Sequence, residues 1–477
     1  MRSDRLAETL LPKRIALPVF ASDALSSVAY APDEIFLTLS LAGVAAYTFT
    51  WKIGLVVAVV MVTVVASYRQ NVQAYPSGGG DYEVASVNLG PTFGLVVASA
   101  LLVDYVLTVA VSISSAAQYA ASAVPALHDH RVAVAVVAVL FLTTMNLRGV
   151  RESGTAFAVP TYVFMAAIGA MAVWGFTRYL TGDLPHAASA ALTLAPQAGY
   201  ETGLTGIAGA FLILRAFASG SAALTGVEAI SNGVPAFRVP KSRNAATTLA
   251  LLGGIGITMM LSVIVLANLT GVHVASDPAT QLLRDGRPVG DGYVQDPVIG
   301  QLAKTIFDHA PALFYLVAAA TGIILVLAAN TAFNGFPVLG SILARDGYLP
   351  RQLHTRGDRL AFSNGILILA FGAVVLIVAF GAEVTRLIQL YIVGVFVSFT
   401  ISQTGMVRHW TRLLATESDP AARRRMVRSR LINALGLTIT GIVLVVVLIT
   451  KFLLGAWIAI LAMAALFLLM RGIRSHY

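Results

Sequence analysis

The 477-residue sequence contains no cysteine. Disulfides and thiolate metal sites are therefore excluded, while compartment stays unread from that absence. Charge is scarce too. Asp, Glu, Lys and Arg make up 12% of the chain, about half the share in an ordinary globular domain. Signals of covalent or cofactor chemistry are equally thin. Among the eight histidines only His128 and His130 lie close together, on a loop. The stretch PSGGGDY at 76–82 lacks the Lys-Ser/Thr of a phosphate loop, and GGIG at 253–256 sits inside an apolar run. No nucleophile stands beside a base, so neither an enzyme nor a cofactor is expected.

Hydrophobic residues, by contrast, make up 57% of the chain. They gather into twelve stretches long enough, at about 17–25 residues, to cross a bilayer. These lie near 15–42, 51–72, 91–122, 131–147, 155–177, 204–236, 245–269, 311–332, 361–381, 384–406, 431–450 and 452–470. The first is too long and too polar for a secretory signal. An all-α polytopic membrane protein is the expected fold class.

The net charge of +9 raises nucleic acid as a partner, and the placement of the charges answers it. With the N-terminus cytoplasmic, 23 of the 32 Lys and Arg fall on inner segments, Arg2, Arg5, Arg151, Arg356, Arg359 and Arg474 among them. Eight, including Lys52, Arg178 and Lys451, fall outside, and Arg215 is left within a span. That bias satisfies the positive-inside rule and suits anionic lipid, so nucleic acid is not needed. The outer loop at about 270–310 reads as turns. The basic inner loop at 407–430 reads as short helix plus solvated charge.

Two spans carry polar interruptions: ASDALSS in the first and ASGSAALTG in the sixth, each containing the Ala-Ser of a Phe-Ala-Ser triplet. They stand five spans apart, and an odd number of spans inverts the second unit relative to the first. Interrupted helices at matching places in inverted halves point to a transporter's central site; two kinked helices without a ligand are the plainer reading. The expected units are 1–177, 178–406, and a remainder at 407–477 with two further spans.

Six charges fall inside predicted spans: Asp23, Asp33, Glu34, Asp104, Arg215 and Glu228. Each costs roughly 2.5–3.5 kcal/mol at the bilayer centre, so each must face a polar interior, a partner or a substrate. Asp23 stands at the first break with Ser26, Ser27 and Tyr30 behind it. The sixth-span break offers Ser219, Ser221, Thr225 and Glu228, the last two on one helical face. In the third span Tyr105, Thr108 and Ser112 form a stripe beside Asp104. Packing is the alternative role for the two tyrosines.

Carboxylate, hydroxyl and broken-helix carbonyl oxygens suit hard cations. An aspartate at the first break would repel a substrate carboxylate, which disfavours a neutral amino acid and leaves a metal cation or a polyamine. Glu228 and Asp104 are candidates for carrying a coupled proton or for fixed countercharge. Arg215, one turn before the sixth-span break, could pair with Asp33 or Glu34 across an external gate, or form a static buried pair.

The stretches SDALSSVAYA, AYPSGGGDY, LLVDYVLTVAVSIS, RAFASGSAALTGVEAISNGVPAF and PKSRNAATTL resemble the amino acid–polyamine–organocation superfamily. Within it they look most like the bacterial KimA-type potassium uptake permeases. The resemblance implies a LeuT-like 5+5 inverted repeat, an inner-membrane location with both termini cytoplasmic, and potassium uptake by proton symport. Matched motif by motif, it implies a potassium site of Asp23, Tyr30, Tyr105, Thr108, Ser112, Thr225, Glu228 and, from LIQLYIVGVFVSFT, Tyr391. It also implies Glu228 and Asp104 as proton-coupling residues. The family's cytoplasmic C-terminal domain is not expected here, since the sequence stops just past the last span. Dimerisation and cyclic di-AMP control therefore do not carry over from the resemblance.

Overall fold

The computed structural model describes residues 10–78, 80–148, 154–353 and 363–476. Arg2, Arg5, Arg151, Arg356 and Arg359, five of the basic residues assigned to inner segments, lie outside the described residues.

The chain is a bundle of helices. The first span is split into α1 (Lys13–Ser26) and α2 (Ala31–Leu39), followed by α3 (Thr50–Ala74), a short α4 (Gly80–Leu89), α5 (Pro91–Ala123), α6 (Arg131–Leu147) and α7 (Gly154–Thr181). The sixth span is split into α8 (Gly206–Gly220) and α9 (Glu228–Asn232), and α10 (Lys241–Leu269) follows. Beyond it come α11 (Pro278–Gln281), α12 (Val298–Ile306), α13 (Pro311–Arg345), α14 (Ser363–Ala379), α15 (Val384–Thr416), α16 (Pro420–Lys451) and α17 (Ala456–His476). Among the described residues eleven helical stretches are long and apolar enough to cross a bilayer, and the shorter apolar α14 makes the twelfth expected span.

Composition explains which helices face lipid. Phe141 on α6, Trp174 on α7, Phe371 on α14, Ile442 on α16 and Leu468 on α17 are all exposed, an apolar surface that only hydrocarbon would cover at low cost. The two split spans and α5 occupy the interior, where buried serines, threonines and carboxylates accumulate.

Each break has a local cause. After α1 the chain tightens to a 3₁₀ turn at Ser27–Ala29, and Pro32 opens α2, where its missing N–H costs nothing. Ser26 and Ser27 donate back to the carbonyls of Asp23 and Ala24 at 2.7 and 2.6 Å, competing with the regular ladder. In the sixth span a 3₁₀ turn at Ser221–Leu224 leads to extended Thr225 and then Gly226 at φ +81°. Ser27 Oγ donates to the Ala223 carbonyl at 3.2 Å, joining the two breaks. Both Phe-Ala-Ser triplets remain helical, the first ending one turn before the end of α1 and the second one residue before the end of α8.

Three expectations are corrected. The outer loop holds structure: its β2 (Leu282–Arg284) and β3 (Arg287–Pro288) form a hairpin, and β1 (Thr193–Leu194), from the segment between α7 and α8, pairs with β2 to make an antiparallel sheet in the order β1-β2-β3. Its Asp285-Gly286 hairpin turn has φ of 53° and 78°, which that dipeptide tolerates. The basic inner segment is almost all helix, because α15 runs to Thr416 and α16 starts at Pro420. Asp419 caps it by accepting from the N–H groups of Ala421 and Ala422. Lys451, read as an outer-loop charge, is fully buried.

Candidate binding site at the two helix breaks

Asp23 lies in the last turn of α1 and is 7% exposed; Asp104 on α5 is 3% exposed and Glu228, the first residue of α9, 6%. Asp104 lies near enough to Glu228 and Asp23 to be repelled by both. Each keeps a buried oxygen without a hydrogen-bond partner: Asp23 Oδ1, Asp104 Oδ1 and Glu228 Oε2. The position of Asp23 depends on Gly226, where a side chain would collide with the Asp23 carboxylate.

Hydroxyls surround this cluster. The Tyr30 hydroxyl lies 3.4 Å from Thr225 Oγ1, which donates to the Ala222 carbonyl at 2.8 Å. Thr108 Oγ1 donates to the Tyr391 hydroxyl at 3.0 Å, tying α5 to α15. Ser112, one turn beyond Thr108, is buried on the same helix. The ring of Tyr105 packs against Gly335 of α13, where a β-carbon would lie 2.6 Å from it. The structure thus gathers Asp23, Tyr30, Asp104, Thr225 and Glu228 around the breaks, with the Thr108–Tyr391 pair beside them, and the ring of Tyr105 also packs on α13.

The expected gate is arranged differently. Asp33 does not face Arg215: both its oxygens accept from the N–H of Val298, at 3.1 and 3.2 Å, so it caps α12. None of the ion pairs among the described residues involves Arg215, and its Nε has no hydrogen-bond partner. Glu34 is attracted by Lys451 first and Arg215 second.

Sequence reasoning missed two buried polar residues here. Lys451 had a signal: the run VLITKFLLGAW is apolar on both sides of it, which leaves no polar loop to hold it. Asp81 sits in the PSGGGDY stretch and accepts from Tyr68 at 2.6 Å and Ser398 at 2.8 Å. Gly78 and Gly80 serve close approach. At Gly80 (φ +54°) a β-carbon would fall 1.7 Å from Asn232 Oδ1, at the end of α9.

Among the described residues no group of three His, Cys, Asp or Glu has the arrangement of a metal site. The array is built instead of one carboxylate per helix with hydroxyls between.

Comparison with known proteins agrees with a permease architecture. The amino acid permease family profile matches residues 20–470. Over 477 residues the chain is 40% identical to the potassium transporter KimA of Bacillus subtilis (strain 168), covering all of this chain and 73% of that protein. A 112-residue stretch is 34% identical to the low-affinity putrescine importer PlaP of Escherichia coli (strain K12), covering 23% of this chain and 24% of that one. A crystal structure of the Eremococcus coleocola manganese transporter superposes with a TM-score of 0.45 at 13% identity, over 96% of this chain and 93% of the other. By its family match and its full-length relative, this multi-pass membrane protein belongs to the amino acid permease family of the amino acid–polyamine–organocation superfamily.

Proposed function

We propose that the chain is a secondary active transporter that imports potassium together with protons by alternating access. The observation that carries the proposal is the buried cluster of Asp23, Asp104 and Glu228, each with one unpartnered oxygen, set among the hydroxyls of Tyr30 and Thr225 at two broken helices. Several such oxygens replace the hydration of a large monovalent ion. The potassium transporter that is 40% identical over the full length of this chain supports the choice of cargo.

The charge balance supports proton coupling. One potassium ion balances one of three carboxylates, and uncompensated buried charge is costly. Protons on Glu228 or Asp104 bring the loaded site nearer neutrality. In this reading Asp23, Tyr30, Thr225 and Glu228 hold the ion. Asp104, Thr108, Ser112, Tyr105 and Tyr391 complete or support the site from α5 and α15. The two five-span units, 1–177 and 178–406, rock about it. The basic bias of the inner segments supports a reading with both termini in the cytoplasm of a bacterial inner membrane.

The putrescine importer that matches 112 residues supports a second reading, an organic-cation permease. Purified protein in liposomes separates the two. Uptake of potassium, sodium, lysine and putrescine is compared with and without an inward proton gradient. Potassium uptake that rises with the gradient is the expected result. Putrescine or lysine uptake with no potassium signal would replace the first reading with the second.

A further inference from the structure

Lys451 has no exposed surface although it is the last residue of α16, in the eleventh span. Its Nζ donates to Ser219 Oγ. Ser219 is the penultimate residue of α8, immediately before the sixth-span break. The same Ser219 Oγ lies 3.2 Å from Thr38 Oγ1 on α2, the second half of the broken first span. One turn nearer the break on α2, at the i, i+4 spacing that shares a helical face, Glu34 is attracted by Lys451 and keeps Oε2 without a partner. One ammonium group from outside the two five-span units therefore touches or attracts both broken helices.

We infer that Lys451 is a tethered cation that latches the outer side of the binding site, joining α2 to α8 through Ser219 and Thr38, with Glu34 as its countercharge. Two physical effects follow from its position. The hydrogen bond and the attraction to Glu34 hold the second half of span one against the first half of span six. The fixed positive charge also repels a free cation arriving from that side, so entry requires Lys451 to leave Ser219. Lysine suits this role because its ammonium is a compact charge on a flexible stem. The latch rests on the alternating-access reading given above, but not on potassium as the cargo.

The absence of cysteine makes the test direct. Ala31 is buried three residues before Glu34 on the same face, one turn deeper than the latch. Ala31→Cys is treated with a membrane-impermeant maleimide on intact cells. Thr202→Cys, exposed just before α8, reports which face the reagent reaches; if it is silent, inverted vesicles are used. The expected result is slow labelling in the Ala31→Cys parent, at least tenfold faster labelling after Lys451→Met, and a rate within about threefold of the parent after Lys451→Arg. Ser219→Ala, which removes the acceptor at little change in volume, should also accelerate labelling and decides the matter if Lys451→Met does not fold. Unchanged or slower labelling in both Lys451→Met and Ser219→Ala, or no labelling of Ala31→Cys in any variant, would overturn the latch. Lysine-dependent labelling without cation uptake in liposomes would leave the latch standing and remove the cargo assignment instead.

Discussion

Gly226 stands against Asp23 so closely that a β-carbon at 226 would lie 2.9 Å from Asp23 Oδ2 and 2.7 Å from the Ala24 nitrogen. The backbone there has φ +81°, a conformation that costs other residues about 1–2 kcal/mol. Gly226→Ala therefore both strains the sixth-span break and displaces the carboxylate. Uptake in vesicles should fall by about tenfold or more, since each 1.36 kcal/mol is a factor of ten. Gel filtration should still show a folded protein.

Asp23→Asn removes the charge at nearly constant volume. Removing one partner of a desolvated ion pair costs about 3–5 kcal/mol, so cation uptake should drop by about two orders of magnitude or more. Glu228→Gln should behave differently. Cation binding measured by calorimetry should weaken but persist, since the amide keeps one oxygen at the site, while accumulation no longer responds to an imposed proton gradient. Equal responses to the gradient in Glu228→Gln and the parent would remove Glu228 from coupling.

The bond from Thr108 to Tyr391 joins α5 to α15 beside the carboxylates. A single neutral hydrogen bond contributes about 0.5–1.5 kcal/mol. Thr108→Val should raise the KM for uptake by about two- to tenfold, with a smaller change in kcat. Tyr391→Phe should match it, and the double variant should be little worse than either single one.

Most of this arrangement is legible in the sequence because a bilayer punishes polar residues. Asp23, Asp104 and Glu228 stand out inside apolar runs, and the polar interruptions mark Asp23 and Glu228, whereas Asp104 stands within the unbroken α5. Asp33 shows where the argument stops. Its cost in an apolar run says that it needs a partner, but not which one. The N–H of Val298, 265 positions away, supplies that partner. Lys451 was misplaced for a related reason. A lysine at the end of a span reads as a loop charge, and only tertiary packing shows that it turns inward to Ser219. The outer sheet escaped notice because strands of two or three residues leave no alternation to detect.

Asp33 acts as a cap on α12, and loss of a helix cap costs about 1 kcal/mol. Asp33→Ala should lower the thermal midpoint of the purified protein while leaving cation preference unchanged. Exchanging the charges of Arg215 and Asp33 should not restore transport lost in the single variants. Rescue by that exchange would mean the two residues meet in another state of the cycle.

Asp308 lies outside the spans, 2.6 Å from Arg178 Nη1. The hydrogen bond from Arg178 holds its carboxyl below the usual value of 3.8. A depressed folded-state pKa adds stability above the unfolded value and loses it as pH falls through the folded one. The protein should lose this contribution only below about pH 4. Asp308→Asn should flatten that part of the profile of thermal midpoint against pH, and an unchanged profile would assign the acid sensitivity elsewhere.

The helix that ends at Lys451 begins at Pro420 and runs 32 residues without interruption, about 48 Å at 1.5 Å per residue. Its opening turns carry Arg423, Arg424, Arg425, Arg428 and Arg430. Such a shaft is stiff along its axis, so a push on the guanidinium-rich tip travels to the ammonium at the far end almost undiminished. Whatever grips those arginines thus also has a mechanical hold on the seam between the two severed rods.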